Sequence, residues 1–222
     1  MSTGKSVRMN AMSKTSGSPQ APDLIPAFSP DLCLDFANTQ YWRGGDSPSE
    51  TIASPSDLLG WCERQHVVSR ESAAVIRRWW EQRPLAAQTS WREAIAFREA
   101  LYRLLFALAD GKAFDPTDLA ELNRALADAP ARLDVVATKS GFAWLVPRAF
   151  PPRVSVILAP VLWSAGDLLV GPRRARLRHC ANERCIWLFV DESKGGRRRW
   201  CSMAACGNRA KAQRHYLKHK RA

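Results

Sequence analysis

The stretch CANERCIWLFVDESKGGRRRWCSMAACGNR, residues 180–209, decides how the chain is read. Four of the six cysteines fall in it as Cys180-x4-Cys185-x15-Cys201-x4-Cys206, two close pairs separated by a fifteen-residue insert. Each close pair can fold round one side of a tetrahedral Zn²⁺, and two pairs supply four thiolates. That closes a structural site and leaves no position for water. Gaps of four rather than two make each pair bridge a larger loop. Four thiolates around one Zn²⁺ leave a net negative charge, which Arg178, Arg184 and Arg199 flank and can offset. Disulfides are the rival use of these cysteines. The first 22 residues lack the apolar core of a secretory signal, so a cytoplasmic location is expected, where thiols stay reduced. One structural Zn²⁺ on Cys180, Cys185, Cys201 and Cys206 is therefore expected.

Between the pairs, Ile186 to Val190 is strand-like, Asp191 to Gly196 can turn, and Arg197 to Trp200 can return as a partner strand. A hairpin filling the insert is expected. After Cys206 the chain runs from Ala210 to His219 without Gly or Pro. At about 100° per residue, Lys211, Arg214, His215 and Lys218 share one face of a helix there. Knuckle, hairpin, then a helix bearing the last ligand is the order of a treble-clef zinc finger.

Charge is segregated along the chain. Residues 1–171 hold 18 Lys+Arg against 18 Asp+Glu, whereas residues 172–222 hold 15 against 3, so the last segment carries the whole net charge of +12. A field of that sign attracts polyanions, of which nucleic acid is the commonest. Arg197, Arg198, Arg199, Arg209, Lys211, Arg214 and Lys218 are the residues expected to neutralise phosphates. The bland alternative is a solvated face. No acidic residue follows Glu192, so the repulsion among these cations is unrelieved without a polyanion. Asn208 and Arg209 also have the chemistry to read adenine and guanine edges. Their bland roles are a turn or cap for Asn208 and a salt bridge to Asp191 for Arg209.

The rest of the chain reads as mostly helical. Residues 1–22, rich in Ser, Thr, Lys, Gly and Pro, are expected to be a disordered tail, and Leu24 to Thr39 is ambiguous. Ser54-Pro55, Ser69 and Asp115-Pro116 are helix starts, and Ser90 with Glu93 predicts a capping box opening a further helix that runs to Gly111. Alternation over Leu133–Ala137 and Phe142–Val146 predicts a β-hairpin. Val154 to Val170 reads as a buried helix bent near Pro160 and closed by Gly171, and its interruptions by Pro160, Gly166 and Asp167 exclude a membrane span.

At Cys180-x4-Cys185, Arg198-Arg199-Trp200-Cys201-Ser202-Met203, Cys206-Gly207-Asn208-Arg209 and Lys211 the chain resembles the bacterial CGNR zinc-finger proteins. Its N-terminal part resembles the domain usually fused to that finger, the ABATE or stress-induced transcription regulator domain, through Leu34-Asp35-Phe36-Ala37-Asn38-Thr39. The resemblance covers roughly residues 24–220 and implies a transcriptional regulator with zinc on the four cysteines. The expected architecture is a mostly α N-terminal domain with one β-hairpin over 23–171, joined to a small treble-clef-like α+β zinc finger over 172–222.

Other candidates have plainer readings. Cys33 and Cys62 lie among apolar residues and are expected in the core rather than as a redox pair. Asp35, Asn38 and Thr39 face a pocket or cap and turn the backbone. His66 is the only histidine outside the basic segment, and no phosphate loop or H-E-x-x-H occurs, so no enzymatic activity is expected. The expected partner is double-stranded DNA, with an unknown effector or protein at the N-terminal domain. RNA is one alternative, served by Trp187, Phe189, Trp200 and Tyr216 as stacking aromatics, and a protein-interaction module docking on an acidic partner is the other.

Overall fold

Ser54, Ser69 and Asp115 each accept a hydrogen bond from a backbone N–H in the first turn of a helix, so three of the expected helix starts occur where the sequence places them. The computed structural model describes residues 23–26, 28–132, 134–139, 141–146, 151–212 and 216. The tail over 1–22 lies outside them, as do Arg214 and Lys218. The described chain runs β1 (Asp23–Pro26), α1 (Leu32–Ala37), β2 (Gln40–Tyr41), β3 (Ser49–Glu50), α2 (Pro55–Arg64), α3 (Arg70–Glu81), α4 (Pro84–Ala109), α5 (Pro116–Asp128), β4 (Asp134–Thr138), β5 (Gly141–Val146), α6 (Val154–Ile157) and α7 (Ala159–Val170). A 3-10 turn (Pro172–Arg176), β6 (Leu177–His179), β7 (Leu188–Val190) and a wide helical turn (Met203–Gly207) follow, and residues 208–212 continue as helix. No described helix is long and apolar enough to cross a membrane.

Two sequence expectations fail in instructive ways. The capping box does not open α4, which starts at Pro84, so Ser90 is a buried mid-helix residue. Pro84 suits the first helical position, and nothing between it and Ser90 interrupts a helix. The resulting rod of 26 residues is about 39 Å long. The hairpin expected inside the insert does not form either. β7 pairs with β6, Leu177 opposite Val190 and His179 opposite Leu188, while 197–200 is not a strand. This pairing turns Leu177, Leu188 and Val190 into the main core, whereas pairing with Arg197–Arg199 would have carried three guanidiniums towards it. The insert is closed instead by Asp191, fully buried, which accepts from Ser193 N–H and Oγ–H and from Arg198 N–H at 2.6–3.0 Å.

The hairpin β4–β5 forms as expected, and β1 joins it on the far side of β5 to make a three-stranded antiparallel sheet. The expected long helix over 154–170 breaks at Leu158 into α6 and α7, because Pro160 lacks the N–H a continuous helix needs there. Cys33 and Cys62 are buried and free, and burial pushes the Cys33 thiol up to about 12 and the Cys62 thiol higher still, so both are inert core thiols.

The zinc-finger segment shares its core with the helices. Leu177, Leu188 and Val190 belong to the same buried cluster as Phe36, Leu101 and Leu105. Asn38, 2 % exposed at the end of α1, donates from Nδ2 to the Leu188 carbonyl and accepts on Oδ1 from the Leu188 N–H, both at 2.9 Å. Asn38 is the C-cap of α1, as the plainer reading expects, and its side chain also extends the β6–β7 ladder in place of a strand. Asn38→Ala leaves two buried backbone groups unpaired and is expected to cost about 2–4 kcal/mol of unfolding free energy. Urea denaturation of the intact chain measures it, and a loss below half a kcal/mol (roughly the value of a neutral surface change) refutes the account.

Candidate metal centre and nucleic-acid interface

Knuckle geometry follows from local hydrogen bonding. Cys180 N–H donates to the Trp187 carbonyl, and Cys185 and Ile186 N–H both donate to the Asn182 carbonyl, at 2.8–3.0 Å. The Asn182 side chain accepts from Arg184 N–H, and Ile186 takes the left-handed backbone conformation that sends the chain back beside β6. The second pair sits at the wide turn: Ser202 Oγ accepts from Ala205 N–H, and Gly207 N–H reaches back five residues to the Ser202 carbonyl. A Cβ on Gly207 would press on Met203 Sδ at 2.7 Å and Trp200 Cδ1 at 3.3 Å, which is why this turn packs so closely.

All four cysteine sulfurs converge. Their Sγ atoms lie within 4.8 Å of one another, with Cys185–Cys201 at 3.7 Å and Cys201–Cys206 at 3.8 Å. Zn–S bonds of about 2.3 Å in a tetrahedron require edges of about 3.8 Å. The cluster therefore fits one structural zinc ion. Asn182 Nδ2 lies 3.7 Å from Cys206 Sγ, and the Asn182 and Cys201 backbone N–H groups donate to Cys180 Sγ. Hydrogen bonds from Cys185 and Cys201 pull the Cys180 thiol far down, and the same bonds push Cys185 up to about 12 and Cys201 up as well. The cluster thus favours negative charge but shares tightly held protons, which a divalent cation must displace. Trp42, Trp187 and Trp200 pack around it.

Trp42 comes from the N-terminal part, and the loop that carries it is fixed to α4. Arg98, 1 % exposed, makes two hydrogen bonds to Glu50 at 2.6 and 2.7 Å and one to Thr39 Oγ1, while Arg43 pairs with Glu99 and covers the Tyr102 ring. Tyr102 in turn donates to the Ile186 carbonyl at 2.8 Å. Tyr41 stacks on Trp187 with centroids 5.0 Å apart. Gly44 meets the knuckle backbone so closely that a Cβ there would overlap the Glu183 carbonyl oxygen. His179 Nε2 lies 3.2 Å from Asp110 at the end of α4.

The basic residues divide into engaged and free. Arg198 is used within the finger, bonding the Trp200 and Cys201 carbonyls and lying over Phe189. Arg199 lies over Trp200. Arg209 is not paired with Asp191, since its guanidinium sits 4.6 Å from the Trp42 ring centre. Asn208 is exposed and caps the wide turn, its backbone N–H donating to the Ala205 and Met203 carbonyls as the chain continues into helix. Arg197, Arg199 and Lys211 are exposed and make no ion pair among the described residues. Trp42, Gly44 and Tyr102 were not singled out as site residues by sequence, and Arg184 was singled out only as a charge flanking the metal. Their signal is tertiary, although the Gly44-Gly45 loop marks a place where the backbone can approach another.

The family model described as "Putative stress-induced transcription regulator", ABATE, matches residues 30–172, and the CGNR zinc finger model matches residues 176–219. The chain belongs to the ABATE family. A search of the curated proteins returns no match to it. In this ABATE protein the finger is a zinc-binding element of a regulator-type chain, and its knuckle rests on the N-terminal helices.

Purified protein is expected to contain about one zinc per chain, lost in Cys185→Ser or Cys206→Ser and progressively released as pH falls, because protons compete with the metal for the four thiolates. Since β6 and β7 belong to the main core, chelation should lower the melting temperature of the entire chain. Metal analysis with calorimetry tests both, and a zinc-free protein of unchanged melting temperature contradicts the site.

Proposed function

We propose that the chain is a DNA-binding transcriptional regulator in which residues 172–222 form a zinc-stabilised nucleic-acid-binding finger and residues 23–171 a sensing or association domain. The observation that carries this reading is the charge: 15 Lys+Arg against 3 Asp+Glu over 172–222, beside a balanced remainder. Exposed Arg197, Arg199, Lys194 and Lys211 surround a rigid metal-tied scaffold, the arrangement that rewards counterion release from a polyanion. Arg214 and Lys218 extend the same set in sequence and complete the proposed phosphate contacts.

Duplex DNA is favoured over single-stranded RNA by what happens to the aromatics. Phe189 is buried beneath Arg198, Trp187 is covered by Tyr41, and Trp200 packs on the cysteine cluster under Arg199. Of the four candidate stacking residues only Tyr216, 63 % exposed, presents an open ring. A stacking platform for unpaired bases needs several.

The sensing role rests on a cleft of about 570 Å³ between α4, α5 and α6, a volume in the range of small-molecule sites. Phe97, Leu158 and Leu162 floor it, and Glu93, Glu121, Arg124, Asp128 and Arg153 rim it. Its α4 wall continues to Tyr102, which holds the finger, so a bound effector or protein has a stiff route to the other part. This reading gives the chain no catalytic role and a cytoplasmic location.

Fluorescence anisotropy with duplex DNA, competed by single-stranded RNA, tests the proposal. Binding should fall steeply with salt, and Lys211→Ala should lower the slope of log affinity against log salt by about 0.9 for every sequence. Weak, salt-insensitive binding would favour instead a finger that docks on an acidic protein.

A further inference from the structure

Arg184 and Arg209 line one cleft of about 380 Å³ between the knuckle and the start of the finger helix, together with Asn182, Glu183, Trp200 and two alanines, Ala181 and Ala210. We infer that this cleft is a phosphate clamp for the nucleic-acid backbone, with Arg184 and Arg209 as its two cationic jaws and Trp42, from the other part of the chain, as the residue that positions Arg209. The inference rests on the nucleic-acid reading above and deepens it.

Arg209 lies with its guanidinium over the Trp42 ring, 4.6 Å from the centroid. Stacking uses the flat faces of a guanidinium and leaves its in-plane N–H groups available, which is the geometry that grips a phosphate or carboxylate bidentately. The platform is rigid. Trp42 holds a left-handed backbone, φ 56°, which a non-glycine residue adopts only when its surroundings impose it. Those surroundings are the Arg43–Glu99 and Arg98–Glu50 ion pairs behind it and the Gly44–Glu183 backbone contact beside it. Arg184 enters from the knuckle, its backbone N–H fixed by Asn182 Oδ1 at 3.1 Å. Among the described residues its charge is answered by Asp46 at 3.7 Å, in a pair whose side chains are 72 % and 99 % exposed. Such a pair is worth little in water and yields to a better anion. Glu183 also lines the cleft, and its carboxylate opposes an anion there, so a phosphate is held only where both guanidiniums engage it at once.

Phosphate rather than a base edge is assigned because Arg209 lies back on Trp42 inside a concavity. Base edges are recessed at the floor of a groove some 8 Å deep, roughly, and are reached by protruding side chains, whereas backbone phosphates project and can enter a cleft. The clamp thus gives Arg209 a backbone contact in place of the guanine-reading role that the sequence suggests.

The test uses the full, zinc-loaded chain and a mixed-sequence DNA duplex over a salt series. Arg184→Ala and Arg209→Ala should each weaken binding several-fold for all sequences. The double variant should lower the salt slope by about 0.9 in total, one phosphate's share, because both jaws serve the same group. Trp42→Ala should weaken binding as much as Arg209→Ala does, add nothing on the Arg209→Ala background, and be rescued by Trp42→Phe. Should Trp42→Ala lose zinc or structure, Arg209→Lys replaces it: the charge stays, the planar stack goes, and the loss should persist. If Lys211→Ala and Arg197→Ala lower affinity and slope while the Arg184, Arg209 and Trp42 variants bind like wild type, the clamp is wrong and the nucleic-acid reading stands. If Arg209→Ala weakens only one set of sequences, Arg209 reads bases and the phosphate assignment is overturned. If the wild-type chain shows no salt-dependent binding, both fall together.

Discussion

The carboxamide of Asn38 bonds both backbone groups of Leu188, at 2.9 Å each, in a place where both partners are buried. Were it absent, the inner edge of β7 would carry an N–H and a C=O with no water to satisfy them, and the strand would have to leave the core. Everything beyond depends on that strand staying. β7 fixes β6, the two together present the Cys180–Cys185 knuckle, and the knuckle sets where Cys201 and Cys206 must come to complete the sulfur tetrahedron. The metal centre is thus built on a hydrogen bond made by α1, about 150 residues earlier in the chain.

A second support runs through α4. Its buried Arg98 and half-buried Glu99 hold Glu50 and Arg43, its Tyr102 holds Ile186, and its last turn meets His179 through Asp110. One helix therefore lines the cleft over α5 and α6 with its first half and carries the finger with its second. Charged pairs of this kind contribute modestly to net stability, because desolvating Arg98 offsets much of what Glu50 returns. Their effect is on geometry: they place Trp42 and the Gly44 loop against the knuckle, where apolar contacts alone would allow several arrangements.

For a small metal module, docking also changes the energetics. A finger of this size has too little core to fold without its metal. Here it borrows core from its neighbour, since Leu177, Leu188 and Val190 pack among helix residues. Zinc binding and packing against α1 and α4 are then linked, each stabilising the conformation the other needs. The result is a basic surface whose orientation relative to the N-terminal part is set by contacts rather than left to a linker.

The sequence by itself determined the local chemistry. The cysteine spacing specifies a four-thiolate site, because close pairs must share one small ion. The serine and aspartate caps specify helix starts at Pro55, Arg70 and Pro116, because capping is satisfied within one turn. Charge segregation specifies a strongly basic segment over 172–222. It did not determine partners that lie far apart in the chain. The pattern over 186–200 is compatible with a hairpin, and only the core decided that Leu188 pairs with His179 rather than with the arginine run, since burying leucine and valine is favourable and burying unpaired guanidiniums is not. Ser90 and Glu93 fit a capping box, yet the helix had already begun at Pro84, because local propensity alone cannot say which of two permitted starts the surrounding packing will use. Likewise Arg209 has the chemistry of a base reader in sequence. Its place over Trp42 depends on a loop some 165 residues away, positioned by ion pairs that leave no periodic trace in either segment.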